Sequence, residues 1–273
     1  MPGDDVPALA RAWGLTVEGP ERRTFSGTVC FVRRGSEHFV LKLPRAEGDE
    51  TNAPAVLGHF DGQGAVRLIA ADGPAHLVER AMPGEPLTDL VLSGRDDEAT
   101  AIVCAVAARL HGAGRPAFAV PIVADWGEGF ARYRAGGGTG FPRDLLERAE
   151  HLFQDLAATQ QSPVLLHGDL HHDNVLRDEL RGWLAIDPKG VIGEPAYEFG
   201  ALLRNPTEDP RRFADPNIIE RRLAIIVNAT GLDRARLVGW AFAQAMLSAV
   251  WSWEDGEADV RGLVTARAVA SLL

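Results

Sequence analysis

Cysteine is almost missing from this chain of 273 residues: there are two, Cys30 and Cys104, both inside apolar segments. Two thiols so placed cannot build a disulfide-stapled fold, and they read as buried free thiols of a reducing compartment. A basic surplus is missing too. The 28 Lys and Arg are outnumbered by 38 Asp and Glu, for a formal net charge of −10. Nucleic acid and anionic membrane surfaces demand a basic face, so neither is expected as a partner. No run is apolar enough to span a bilayer. The most apolar stretch, 237–253, contains Gln244 and Ser248 and suits a buried core helix better. Residues 1–5 are acidic and lack the charged-then-apolar order of a signal peptide, so the expected location is cytoplasmic. There is no internal repeat and no low-complexity tract; residues 135–140, rich in glycine, are expected as a surface loop. What is present is ordinary for a globular protein: 46% hydrophobic and 24% charged residues, in a length that suits two closely associated lobes or one large domain.

The densest chemistry lies in His167-Gly168-Asp169-Leu170-His171-His172-Asp173-Asn174, followed by Ile186-Asp187. Val164-Leu165-Leu166 is a short apolar strand introduced by the breaker pair Ser162-Pro163. Residues 175–177 read as the next strand, 178–182 as a polar turn, and 183–186 as a returning strand. That hairpin would bring Asp187 beside Asn174, although 13 residues separate them. Phosphoryl transfer is mostly positioning and charge neutralisation, which calls for one base for the acceptor and oxygen ligands for a hard cation. Asp169 is expected as the base, with Asn174 and Asp187 as magnesium ligands. The same stretch also suits a zinc hydrolase built on His167, Asp169, His171, His172 and Asp173, or a polar loop with no chemistry.

Upstream, residues 23–32 read as strand, tight turn, strand, and 38–43 as a third strand. Ser26, Gly27 and Thr28 are expected over the nucleotide phosphates, where a glycine allows close backbone approach and two hydroxyls stand near. There is no Gly-x-Gly-x-x-Gly, so this loop is a reduced version. Lys42 falls on the third strand, where a lysine would hold the α and β phosphates of ATP. Its expected acidic partner is Glu50, with Glu47 the other candidate, although Pro54 sets the next helix to begin near Ala53. Residues 65–70 and 76–79 flank the turn Asp72-Gly73-Pro74 and read as the last hairpin of a five-stranded N-terminal sheet. The run Glu79-Arg80-Ala81-Met82-Pro83-Gly84 is expected as a hinge whose backbone at Glu79 and Ala81 grips the adenine edge.

Three runs together carry a likeness: Asp61-Gly62-Gln63-Gly64-Ala65-Val66-Arg67-Leu68, the loop Leu166 to Asn174, and Ile186-Asp187-Pro188-Lys189-Gly190-Val191-Ile192-Gly193-Glu194-Pro195-Ala196-Tyr197-Glu198. With them the chain resembles the aminoglycoside phosphotransferase family, in the branch holding streptomycin kinases and hydroxyurea phosphotransferases. The resemblance implies an α+β, bilobal protein-kinase-like fold. Residues 1–82 would form a small antiparallel sheet lobe for the nucleotide, and 83–273 a larger, mainly helical lobe with the catalytic loop and acceptor site. It further implies ATP and Mg2+ as cofactors and an aminoglycoside hydroxyl as acceptor, with Lys189 near the phosphates and His167 bracing the loop. Glu198 departs from the pattern, since it stands where an aspartate that orders the catalytic loop is expected.

The C-terminal part is helical by pattern. Asp96–His111 carries Ile102, Val103, Val106 and Leu110 at helical spacing and stops at Gly112. Residues 144–159 and 217–230 repeat the pattern, and Asp233 caps a long helix running through Trp253. A cationic acceptor is expected, which acids and aromatics near the loop would meet, and a net acidic chain suits that charge. Asp173, Glu254 and Asp255 are the candidates, with Trp251 and Trp253 as stacking partners and Asp125-Trp126-Gly127-Glu128 of similar chemistry. Tryptophans at a helix end equally read as core. The chain is expected as a monomer or weak dimer. A kinase of a choline-, sugar- or amino-alcohol-like metabolite would leave the same motifs, as would a silent nucleotide-binding module, against which the intact set Lys42, Asp169, Asn174 and Asp187 argues.

Overall fold

A computed structural model describes residues 6–24, 26–45, 49–206, 209–256 and 261–273. Helix α1 (Val6–Ala12) precedes six strands: β1 (Thr16–Val17), β2 (Arg22–Arg23), β3 (Gly27–Arg34), β4 (Glu37–Pro44), β5 (Leu68–Asp72) and β6 (Ala75–Glu79), with α2 (Ala53–Phe60) between β4 and β5. The strand order is β1-β3-β4-β6-β5, with β2 also on β3, and every pairing is antiparallel. The expected sheet had five strands. The additional one is β1, two exposed residues with no apolar run to announce them, held on the edge of β3.

Side-chain alternation gives this sheet two different faces. Cys30 and Val32 on β3, Phe39 and Leu41 on β4, and Leu77 on β6 share one face, buried against Val6 and Leu9 of α1. Val29 and Phe31, Val40 and Lys42, and His76 and Val78 share the other, which faces the rest of the molecule and lines a cavity. Both cysteines are buried free thiols.

After β6 the chain leaves this sheet. β7 (Pro83–Pro86) pairs with β9 (Val175–Asp178), which pairs with β10 (Gly182–Ala185), and β8 (Val164–Leu166) pairs with β11 (Val191–Gly193). Helices fill the remainder: α3 (Leu87–Leu92), α4 (Asp96–His111), α5 (Val123–Trp126), α6 (Glu128–Ala135), α7 (Arg143–Ala158), α8 (Pro195–Leu203), α9 (Pro210–Phe213), α10 (Pro216–Thr230), α11 (Arg234–Glu254) and α12 (Arg261–Ala270). Asp233 caps α11 by accepting from the Arg236 amide at 2.9 Å, and α10 ends at Gly231 in the left-handed region, φ 69°. Helix α11 runs through the core, where Trp240 meets Phe153 of α7 and Tyr197 of α8 edge-on at 5.2 and 5.0 Å. The long apolar stretch is therefore a core helix, and no helix among the described residues is long and apolar enough to cross a membrane.

The two parts are joined by more than the segment after β6. The Val66 amide donates to the Ala185 carbonyl at 3.0 Å, and the Ala185 amide to the Gly64 carbonyl at 2.8 Å. Arg181 adds contacts to the Gly62 carbonyl and the Glu79 carboxylate. Deeper in the helical part, fully buried Arg222 of α10 donates to Asp96 at the start of α4 at 2.6 Å. It also donates to the Leu202 and Asn205 carbonyls at 3.1 and 2.6 Å. One guanidinium thus ties α4, α8 and α10 together. Removing its carboxylate strands a buried charge, so Asp96→Ala is expected to lower the free energy of urea unfolding by about 3–5 kcal/mol. A loss under about 1 kcal/mol would show that the pair does not hold these helices.

Candidate active site

The loop between β8 and β9 is shaped by its own backbone donors. Gly168 has φ +87°, and a Cβ there would stand 2.8 Å from Trp126 Cη2, so only glycine fits. The amides of His167 and Gly168 both point inward onto the Glu198 carboxylate, at 2.8 and 3.0 Å. His111 Nε2, at the end of α4, approaches the same carboxylate at 3.3 Å. Glu198 therefore fills the place expected of an aspartate, its longer side chain clamping two successive amides. Burial alone would raise its pKa. The hydrogen bond and charge of His111, with His167 and the Gly168 amide, outweigh burial and hold it below the usual value.

His167 is buried and braces the loop. Its Nε2–H donates to the Ile186 carbonyl at 2.7 Å and its Nδ1 accepts from the Asp169 amide at 3.2 Å, a pattern that one tautomer fills. The next two histidines diverge: His171 lies 3.8 Å from Asp169 Oδ2, while His172 is fully buried. No group of three His, Cys, Asp or Glu side chains converges as a metal cluster among the described residues.

The β9–β10 hairpin, with Val175 opposite Ala185, brings Asn174 and Asp187 to one end. The Ile186 amide donates to the Asn174 carbonyl at 2.9 Å, and Asn174 Nδ2 donates to the Asp169 carbonyl at 2.9 Å. With its nitrogen so engaged, Asn174 has its side-chain oxygen to offer. Asp187 sits at φ 59°, a left-handed conformation that non-glycine residues rarely take. Its carboxylate pairs with Lys42 of β4. An amide oxygen and a carboxylate at one hairpin end are the hard oxygen donors that magnesium takes, so these residues fit the ion.

Asp169 lies between cations. Its Oδ1 is 3.2 Å from Arg204 Nη2, and its Oδ2 is 3.8 Å from Lys189 Nζ. Burial would raise its carboxyl, but Lys189, His171 and Arg204 together hold it well below the usual carboxylate range.

Beside the Lys42–Asp187 pair is a cavity of about 210 Å³. Val29, Phe31, Val40 and Val78 of the sheet form one apolar wall, Leu176 and Ile186 of the hairpin line it as well, and Glu79 and Ala81 run along it. A slot of this kind suits a flat aromatic base. The Glu79 carboxylate is engaged elsewhere, accepting from the Arg67 amide at 2.9 Å and pairing with Arg181, and its amide donates to the Arg67 carbonyl at 3.0 Å, so neither group is left for a ligand. Phe31, which sequence patterning did not single out, carries Arg22 and Arg80 guanidinium groups 4.7 and 4.2 Å from its ring centre. Gly27 and Thr28 line a separate groove with Arg23 and Arg45, and Ser26 stands in the turn before them, its carbonyl accepting from the Arg45 amide at 2.9 Å. Gly27 approaches Leu43 and Pro44 so closely that no side chain would fit. Glu50 lies in the short 3-10 turn Asp49–Asn52 just before α2; its side chain, and all of Glu47, lie outside the described residues.

The acceptor candidates are scattered. Asp173 accepts from Thr88 Oγ1, which fastens α3 to the loop. Glu254 pairs with Arg132 at 2.8 Å, and Asp255 is the exposed C-cap of α11. Closer to the chemistry are two tryptophans: Trp126 rests on Gly168, and Trp251 meets it edge-on at 5.8 Å. Arg204 and His111 escaped sequence reading, because a lone arginine or histidine on a helix carries no pattern.

A lysine on an antiparallel sheet paired with an acid beside an apolar cavity, with an asparagine at the same hairpin end and a second acid on the adjoining loop, defines a kinase-like phosphotransferase. The backbone is similar to that of a choline kinase from Streptococcus pneumoniae, with TM-score 0.64 at 14% identity over 97% of each chain. A family model for aminoglycoside/hydroxyurea antibiotic resistance kinases matches residues 12–256, and the chain belongs to that family. It is 38% identical over 249 residues to a streptomycin 3''-kinase from Klebsiella pneumoniae, covering 89% of this chain and 91% of that one. It is 32% identical to a hydroxyurea phosphotransferase from Kitasatospora aureofaciens, covering 94% and 74%.

Glu198→Gln puts an amide against three donors and is expected to cost about 1–3 kcal/mol in urea unfolding at neutral pH. The folded carboxyl lies below its unfolded value, so its contribution is present above about pH 4.3 and fades as pH falls below that. The gap between wild type and Glu198→Gln should therefore narrow in acid; a gap that is constant or widens would contradict the clamp.

Proposed function

We propose that this protein transfers the γ-phosphate of ATP, with magnesium, to a hydroxyl of a streptomycin-type aminoglycoside. The observation that carries the proposal is the pairing of Lys42 with Asp187 at the apolar cavity, with Asn174 at the same hairpin end as Asp187 and its side-chain nitrogen on the Asp169 carbonyl. The adenine would lie in that cavity against Glu79 and Ala81. Ser26, Gly27 and Thr28 would cover the phosphates, and residues 1–82 and 83–273 would form the two lobes. Asn174 and Asp187 would hold the magnesium, which supplies charge neutralisation for the phosphates when bound. Lys42, a compact charge, would meet the α and β phosphates beside Asp187. Glu50 is the proposed further partner of Lys42.

Asp169 receives the acceptor hydroxyl. A carboxylate held this far below its usual pKa is a weak base, and its main work is to align the hydroxyl and take the proton as the transfer proceeds. That is sufficient for a loose phosphoryl-transfer transition state. Burial of the loop under Trp126 keeps its backbone fixed while this happens. The streptomycin acceptor is supported by the likeness to the streptomycin 3''-kinase, which spans nearly all of both chains.

The test is ADP release with Mg-ATP across streptomycin, other aminoglycosides, hydroxyurea and choline. Streptomycin-dependent turnover is expected, falling by about 10²–10⁴ in Asp169→Asn while nucleotide affinity is kept. Turnover confined to choline would move the acceptor to a metabolite. Absence of turnover on every acceptor, with Asp169→Asn indistinguishable from wild type, would leave only a nucleotide-binding module.

A further inference from the structure

Gln244 is one of the polar residues that interrupt the most apolar stretch of the chain, and it is 2% exposed in the middle of α11. A buried amide costs free energy unless hydrogen bonded, so its partners indicate what it is for. Its Nε2 faces the Tyr197 carbonyl at 3.4 Å, which leaves Oε1 to accept from Arg204 Nη1 at 2.6 Å. The other prong of the same guanidinium, Nη2, stands 3.2 Å from Asp169 Oδ1. Arg204 caps the C-terminal end of α8, 35 residues beyond Asp169, and its side chain is 14% exposed. Space for the Gln244 amide comes from Gly200 on α8, where a Cβ would collide with it. A chain of contacts therefore runs from Gly200 through Gln244 and Arg204 to the proposed base.

Lys189 does not duplicate this. Its Nζ is 3.8 Å from Asp169 Oδ2, outside hydrogen-bond distance, and so is His171 Nε2 at 3.8 Å. One carboxylate oxygen is thus hydrogen bonded and the other is held only by charge at longer range.

Resting on the phosphotransferase reading above, we propose that Arg204 is a positioning residue for transfer: held by Gln244, its guanidinium pins Asp169 Oδ1 and presents Oδ2 to the acceptor hydroxyl. Arg204 acts through Asp169 and does not touch the acceptor. A lysine could neutralise the carboxylate, but a single ammonium cannot span Gln244 and Asp169 as the planar fork does.

The test uses the full chain and two rates: streptomycin-dependent ADP release and the slow acceptor-free hydrolysis of Mg-ATP, each with Asp169→Asn as control. Arg204→Ala is expected to lose about 100-fold in kcat, with acceptor KM and nucleotide Kd within about threefold of wild type. Millimolar guanidinium should restore part of that rate in Arg204→Ala and none in Asp169→Asn. Arg204→Lys should recover less than the guanidinium ion does. Gly200→Ala and Gln244→Leu keep both Arg204 and Asp169 in the chain but release the fork, and should each lower kcat about tenfold. The proposal is overturned if Arg204→Ala keeps Asp169-dependent turnover within about threefold of wild type. A loss that follows a lowered Tm and ignores guanidinium overturns it equally. Equal rates for wild type and Asp169→Asn in both assays would overturn the phosphotransferase reading itself, a distinct result.

Discussion

The grip of one buried carboxylate on two successive amides is the constraint on which the site depends. Glu198 takes the N–H groups of His167 and Gly168, and with them the path of the chain into Asp169. A loop between short strands has no ladder to satisfy its own donors, so something outside must take them. The glutamate comes from α8, whose other face packs Tyr197 into the aromatic group around Trp240. Loop geometry is thus tied directly to the core of the helical part, and a shift in α8 would move Asp169 with it.

Charge is distributed by type as well as by place. The chain has only two lysines, Lys42 and Lys189, and each stands within 4 Å of a site acid, Asp187 or Asp169. The other cationic side chains are arginines, and several of the buried or half-buried ones serve as forks between structural elements. Arg222 holds Asp96 and two carbonyls, Arg236 holds Glu194, and Arg181 bridges the two parts of the molecule. An ammonium is a compact charge that can follow a moving phosphate, whereas a guanidinium holds planar partners at set spacing. Arg204 belongs to the second kind but has its fork at the site.

Much of this was legible in the chain itself, for different reasons in different places. The loop and hairpin from 164 to 187 were legible because each turn has its own local signal: Ser162-Pro163, Gly168, and the polar 178–182 segment. Helices α4, α10 and α11 followed from apolar spacing, closed by Gly112 and Gly231 in the first two and opened by Asp233 in the third, signals that act within a turn of where they stand. Strand β1 was not legible, since two exposed residues acquire a strand conformation only from the neighbour they pair with. The acceptor side was the least legible, because an acid or tryptophan on a helix looks alike whether it faces a cleft, a salt bridge or solvent.

Motif spacing and turn preferences are local quantities, so the chain alone announced the 164–187 loop and hairpin, the longer helices and the class of chemistry. Which distant side chains meet there is a matter of packing. Glu198 could replace an aspartate because α8 approaches the loop at a distance its longer side chain spans, and Lys42 reaches Asp187 because a sheet faces a hairpin. Gln244 has a partner because Gly200 leaves room for it. Those distances are set by how helices and sheet pack on one another, and packing depends on residues far apart in the chain.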